Sequence, residues 1–208
     1  MPNAIANGPF ATRSLTMQGE AGPIQAELEL HETPTAHLAI LCHPHPEYGG
    51  SMDDAVLSLA RDVLLANGIG CLRFNFRGVG SSAGTYDRAQ GEARDLLTMI
   101  NSAQQDPGYR MLSLVGYSFG SIVVSNAVGL GVIPDLEKII LIAPPNASMP
   151  LATLPAIPTA VIYGANDDFV DPAGLPQTAS VAIHSLPNCD HFFGYASELL
   201  ANALRASI

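Results

Sequence analysis

Ser118 stands in Gly116-Tyr117-Ser118-Phe119-Gly120, a serine between two glycines where the apolar run "RMLSLVG" gives way to "FGSIVVSNAVGLG". A serine hydroxyl is a poor nucleophile until a base takes its proton, so chemistry at this position demands a histidine and a carboxylate elsewhere. Both follow along the chain. Asp167 and Asp168 come just after the apolar run "PTAVIYG", and His191 lies in "NCDHFFG" after "SVAIHSLP". The order Ser, Asp, His is that of an elbow in which a sharp strand-to-helix turn lifts the hydroxyl out of a sheet, small flanking residues leaving room for it. A glycine-flanked serine alone is often only a turn. The strand before it, the helix after it and the later acid and base together point to nucleophilic acyl transfer.

Those residues need elements to hold them. Arg13 to Gln18 and Ile24 to Leu30 alternate in polarity and predict an antiparallel pair with one solvated face. Beyond them "HLAILCH" predicts a strand and "MDDAVLSLARDVLLANG" a helix stopped by Gly68. The alternation continues with the strand "IGCLRFNF", the helix "RAQGEARDLLTMINSAQ", the strand "RMLSLVG" and a helix after Ser118. Three more buried strands are expected at "KIILIA", "PTAVIYG" and "SVAIHSL", with a closing helix from about Tyr195 to Arg205. The pattern predicts an α/β fold with a mostly parallel sheet and helices on both faces. Ligands in such sheets sit beyond the carboxyl ends of the strands, where Ser118, Asp167 and His191 all fall.

The 208 residues suit one domain, 1–208, and with 48% hydrophobic against 13% charged residues the chain should build a large core and fold alone. A net charge of -10 disfavours nucleic acid and anionic membranes as partners, and neutral or cationic small molecules fit it better. The first residues, "MPNAIANGPFATRSL", show neither a basic region nor an apolar one of the kind a secretory signal has, and no apolar run is long enough to span a bilayer. Three cysteines, Cys42, Cys71 and Cys189, fit reduced thiols and a cytoplasmic setting, the first two as small buried hydrophobes. A monomer or a homodimer is expected.

Two other patterns invite different chemistry. His43, His45 and Glu47 form an H-x-H-x-E string, but Pro44 and Pro46 force an extended or turning backbone and no second cluster completes a metal shell, so no metal is expected. Gly78, Gly80 and Ala83 mimic a dinucleotide fingerprint, yet no helix opens directly after them and the acidic residue after the next strand is missing. These glycines predict a tight turn, with Arg73 or Arg77 holding the loop, and no cofactor is expected. His184, within a strand-like run, reads as structural.

Five motifs in order, "CHPHPEYGGSM", "RFNFRGVGSSAG", "GYSFGS", "GANDDFV" and "CDHFFG", make the chain resemble the α/β-hydrolase superfamily, and within it small cap-less, dienelactone-hydrolase-like serine hydrolases with an HPHP...GG motif. The resemblance covers most of the chain. It implies the α/β-hydrolase fold without a lid, and the family pattern laid on Gly164, Asp167 and Val170 selects Asp167 over Asp168. It also implies an oxyanion hole from the backbone N–H of Phe119 and of His45, since Pro44 has none to give. The chain from "KIILIA" to "PTAVIYG" is too short for a lid domain, so an open, shallow site with Tyr48, Tyr117, Phe119, Phe169 and Phe192 as candidate walls is expected. The expected activity is cleavage of short-chain carboxylic esters through an acyl-enzyme. Thioester cleavage is the first alternative, a peptidase or amidase another, and a binding or scaffold protein a third.

Overall fold

The computed structural model describes residues 10–31 and 36–208. Residues 1–9, on which most of the leader reading rests, lie outside them. The strands are β1 (Phe10–Gly19), β2 (Gly22–His31), β3 (His37–Cys42), β4 (Gly70–Phe74), β5 (Met111–Tyr117), β6 (Leu136–Ile142), β7 (Thr159–Gly164) and β8 (Val181–Leu186). The helices are α1 (Ala55–Ala66), α2 (Gln90–Gln105), α3 (Phe119–Gly129) and α4 (Ser197–Ser207). Helix α4 begins two residues later than its periodicity suggests, an ordinary uncertainty of helix ends.

All eight strands join one sheet in the order β1-β2-β4-β3-β5-β6-β7-β8. β1 and β4 flank β2 antiparallel, and every later pairing is parallel. From β3 the chain moves outward to β4, then returns to place β5 on β3's other side. The strand order therefore reverses between β3 and β5, and a crevice opens beyond their carboxyl ends. Cys42 pairs with Gly116 there, which sets the loop after β3 beside the turn after β5.

The central strands are buried on both faces. One face packs on α2 and α3 through Leu96, Met99, Ile122 and Val123, the other on α1 and α4 through Leu57, Leu64, Leu200 and Leu204. Helix α3 is apolar nearly all round because it lies within the core, so its β-branched residues, poor helix formers in isolation, are held by packing. β8 differs from its expectation as a buried strand. It is the sheet edge and leaves Ala182, Ile183 and Ser185 exposed: α4 meets only the face of His184 and Leu186, and Ala182 on that face stays outside its cover. No helix among the described residues is long and apolar enough to cross a membrane.

Local chemistry sets the helix starts. Asp54 caps α1, its Oδ1 accepting from the N–H of Val56 at 2.9 Å and of Leu57 at 3.2 Å. Helix α2 has no side-chain cap at Ala89. Instead Glu92, in its first turn, accepts the N–H of Asp87 at 2.8 Å and closes a turn in which Arg88 and Ala89 both take positive φ.

Of the two arginines offered as holders of the loop after β4, Arg77 stands in that loop and ties it to α2, whereas Arg73, within β4, reaches β2 and the segment after β3 instead. Arg73 bonds Glu29 at 2.9 Å, Glu27 at 3.0 Å and the carbonyl of Met52 at 2.7 Å. Arg77 meets Asp95 of α2 in a two-bonded pair, both at 2.8 Å, and both side chains are buried. Removing one partner of such a pair leaves an uncompensated charge inside the protein. Asp95→Ala should therefore lower unfolding free energy by about 3–5 kcal/mol, whereas Glu20→Ala, which breaks an exposed pair with Arg94, should change it by less than about 1 kcal/mol; urea denaturation of both variants checks the contrast.

Candidate active site

The turn after β5 is strained. Ser118 has φ 51° and ψ -121°, a region that a side-chain-bearing residue adopts only when its surroundings impose it. Three bonds impose it here. The N–H of Ser118 donates to Ile142 of β6 at 2.8 Å, and the Ser121 hydroxyl reaches Gly116 O at 2.8 Å and Ile142 O at 3.2 Å. Gly120 allows the close approach behind them: a Cβ there would overlap the backbone carbonyls of Cys42 and His43, at the end of β3.

β7 and β8 end side by side, Gly164 opposite Leu186, so the loops that follow them are neighbours. Gly164 lies so close to the carbonyl of Cys189 that a Cβ there would collide with it, and the N–H of Asn166 donates to that same carbonyl at 2.9 Å. The next residue, Asp167, is buried. Its Oδ1 accepts the N–H of Phe169 at 2.9 Å and its Oδ2 lies 2.8 Å from His191 Nδ1. A carboxylate only accepts, so Nδ1 carries the proton and Nε2 is left to accept from Ser118 Oγ, 2.9 Å away. The loop bearing His191 is held by Asp190, whose Oδ1 takes the N–H of both Phe192 and Phe193 at 3.1 Å, and by Tyr117, whose hydroxyl donates to His191 O at 3.2 Å. Asp168 is exposed and stands outside this line.

The backbone N–H groups of Phe119 and His45 donate to no protein acceptor among the described residues, and both residues line the cleft into which Ser118 opens. The segment after β3 is stiffened by its two histidines, which turn to separate partners rather than to one shared centre. The buried ring of His43 donates from Nδ1 to Pro44 O at 2.7 Å and accepts the N–H of Phe76 on Nε2 at 3.0 Å. His45 accepts the N–H of Glu47 on Nδ1 at 3.3 Å, which leaves Nε2–H to donate to the Tyr86 hydroxyl at 3.2 Å. Burial lowers the pKa of both, that of His43 to about 4 and that of His45 against a smaller opposing pull from Glu47. Among the described residues no group of three or more His, Cys, Asp or Glu side chains could hold a metal ion.

The cleft has a volume of about 700 Å³. Its mouth is open as expected, since Tyr48, Phe169 and Phe192 are 87%, 48% and 65% exposed. Tyr117 is buried at its floor and serves the His191 loop. Spacing arguments missed Asp54, Pro145, Ser148 and Met149 as lining residues, Tyr86 as a support of His45, and His43 as a brace. Only the proline-rich composition around Pro145 hinted at any of them. Cys189, two residues before His191 in the same loop, is buried, its thiol pKa pushed up by burial and by Asp190.

The sequence profile described as Serine aminopeptidase, S33, matches residues 34–155, more than half the chain. The chain belongs to this family. This hydrolase is 32% identical to an α/β serine hydrolase without a lid from Xanthomonas campestris, with a TM-score of 0.83 over 99% of this chain and 95% of that one. An α-β serine hydrolase homologue from Coxiella burnetii is 26% identical, with a TM-score of 0.83 over 99% of both chains. An uncharacterized protein of Rickettsia prowazekii is 29% identical over 98% of this chain and 87% of its own length. The protein is thus a serine hydrolase of the α/β fold without a lid.

His43 gives this hydrolase an acid limit on stability. Burial favours its neutral ring, so between the ordinary value of 6.5 and about 4 the unfolded chain binds a proton that the folded chain refuses. The resulting stability is fully present above the ordinary value and is lost as pH falls towards the folded one, an effect of roughly 2–4 kcal/mol. His43→Asn should flatten that part of the curve while lowering stability at neutral pH, as read from urea denaturation at a series of pH values.

Proposed function

We propose that this hydrolase cleaves short-chain carboxylic esters by way of an acyl-enzyme on Ser118. The observation that carries the proposal is the line from Ser118 Oγ through His191 to Asp167, at 2.9 Å and 2.8 Å, opening into the cleft. His191 Nε2 takes the Oγ proton as Oγ bonds to the carbonyl carbon, and the carbonyl electron pair moves onto its oxygen. Asp167 fixes the tautomer and stabilises the imidazolium. The N–H groups of Phe119 and His45 receive the oxyanion. Collapse expels the alcohol, protonated by His191, and water repeats the sequence to release the acid.

The cleft supports the choice of substrate. Its walls include Tyr48, Phe169 and Phe192 with Pro145 and Met149, and the chain between β6 and β7 that forms part of it packs Leu151, Leu154 and Ile157 on the core instead of folding over the site. Such a site takes a small acyl group and does not enclose a long one. Among the described residues no lysine or arginine lines it, which weighs against the phosphates of a coenzyme A thioester. The family's description favours a second reading, release of an amino-terminal residue from a short peptide, with Asp54 as the carboxylate in the cleft to meet a free amino group.

A fluorophosphonate should label Ser118, and p-nitrophenyl acetate, butyrate and hexanoate should turn over faster than the palmitate. Ser118→Ala should lose at least about 10³-fold in kcat. Faster turnover of amino-acid p-nitroanilides than of any ester would move the assignment to the peptide reading, and absence of an adduct on Ser118 would end both.

A further inference from the structure

Three aromatic rings surround the imidazole of His191. The ring of Phe169 lies 4.6 Å away, centroid to centroid, at 50°, that of Phe192 at 5.3 Å and 85°, and that of Tyr117 at 5.9 Å and 31°. Tyr117 is buried and bonded to the backbone of His191, and Phe192 is simply the next residue in the chain. Phe169 arrives from another loop, and its backbone is fixed at both ends. Its N–H donates to Oδ1 of the same Asp167 that receives His191 Nδ1–H, and its carbonyl accepts the N–H of Ala147 at 3.2 Å. A ring that is nearly half exposed is thus held against the imidazole from a rigid base.

We infer that Phe169 stabilises His191 in its protonated form and is a positioning residue for the reaction, beyond any part it plays as a wall of the cleft. The inference rests on the ester cleavage proposed above. An aromatic face attracts a cation within about 6 Å of its centroid. While Nε2 accepts from the Ser118 hydroxyl the ring of His191 is uncharged and this attraction is absent. It arises when the proton crosses from Oγ to Nε2, the Oγ–carbon bond forms and the carbonyl pair becomes an oxyanion. An interaction that appears only with the transition state's charge raises kcat and leaves ground-state binding alone. The charge on His191 is the same for every acyl group. The effect must therefore be independent of chain length, whereas that of a wall varies with it.

The test compares Phe169→Leu, Phe169→Tyr and Phe169→Trp, each checked by thermal melting, on p-nitrophenyl acetate, butyrate and hexanoate. The rate of fluorophosphonate labelling of Ser118 at saturating probe serves as a second measurement, because that step also charges His191. Leucine fills the space without a π face. It should lower kcat about 3- to 5-fold on all three esters, leave KM within about twofold and slow labelling in proportion, with tyrosine and tryptophan restoring most of the rate. Undiminished kcat in Phe169→Leu, a loss of kcat that varies with chain length, or tyrosine and tryptophan as slow as leucine would each overturn the inference while the ester reading stands. A wild-type protein that neither turns over esters nor takes the label would overturn the ester reading and this inference with it.

Discussion

The contact on which the site depends is the approach of the first turn of α3 to the end of β3. At Gly120 a Cβ would overlap the carbonyls of Cys42 and His43, so helix and strand meet backbone to backbone. That approach fixes how far Phe119 stands from His45, and hence whether two N–H groups can serve one oxygen. It also leaves Ser118 no relaxed conformation between a buried strand and a docked helix. The same device recurs where Gly164 meets the carbonyl of Cys189, which seats the loop carrying Asp167 on the loop carrying His191. Two backbone contacts thus set the relative positions of four loops, and the side chains refine what the backbones have placed.

The segment after β3 has two prolines and a 3₁₀ turn but no ladder to hold it, so side chains supply the bonds. His43 ties it to the N–H of Phe76, Asn75 accepts the N–H of Met52 at 2.9 Å, and Arg73 donates to the carbonyl of Met52. All three partners come from β4 or the residues just after it. The buried ions behind them, Arg73 with Glu29 and Arg77 with Asp95, add little net stability against a well-packed apolar alternative. Their value here is directional: Arg73 anchors the segment after β3 through the carbonyl of Met52, and Arg77 ties the loop after β4 to Asp95 of α2, pairings that a hydrophobic contact would not specify.

Much of the fold was legible because continuous apolar runs of strand length alternate with helical spacing, and a parallel sheet buried on both faces requires that pattern. β8 was misread for the same reason. "SVAIHSL" is as apolar as an inner strand, and nothing within those residues tells that α4 covers only one of its faces. The line of Ser118, Asp167 and His191 was readable because glycines and strand ends marked where side chains must emerge, and the family pattern chose Asp167 over Asp168. The braces were not readable. His43 stood out only as one of three residues in a string that no metal was expected to fill, and only the fold brings it beside the N–H of Phe76, thirty-three residues on. Tyr86 and Asp54 likewise reach the site only through loops whose course is set by tertiary packing.

Backbone strain follows the same geography. Of the non-glycine residues with positive φ, Ser118, Ala143 and Asn188 lie just beyond the carboxyl ends of β5, β6 and β8, and Phe193 follows in the loop that carries His191. Each such residue costs on the order of 1–3 kcal/mol and persists only where its surroundings leave no alternative. For Ser118, Ala143 and Phe193 the restraints are specific: the N–H of Ser118 bonds to Ile142, that of Ala143 to Ile162 at 2.7 Å, and that of Phe193 to Asp190. The ladder that stabilises the sheet therefore continues one residue past the strands, into the turns that carry Ser118 and its neighbours. The backbone that carries the Ser118 hydroxyl has little room to relax, because moving it would break a bond to the next strand.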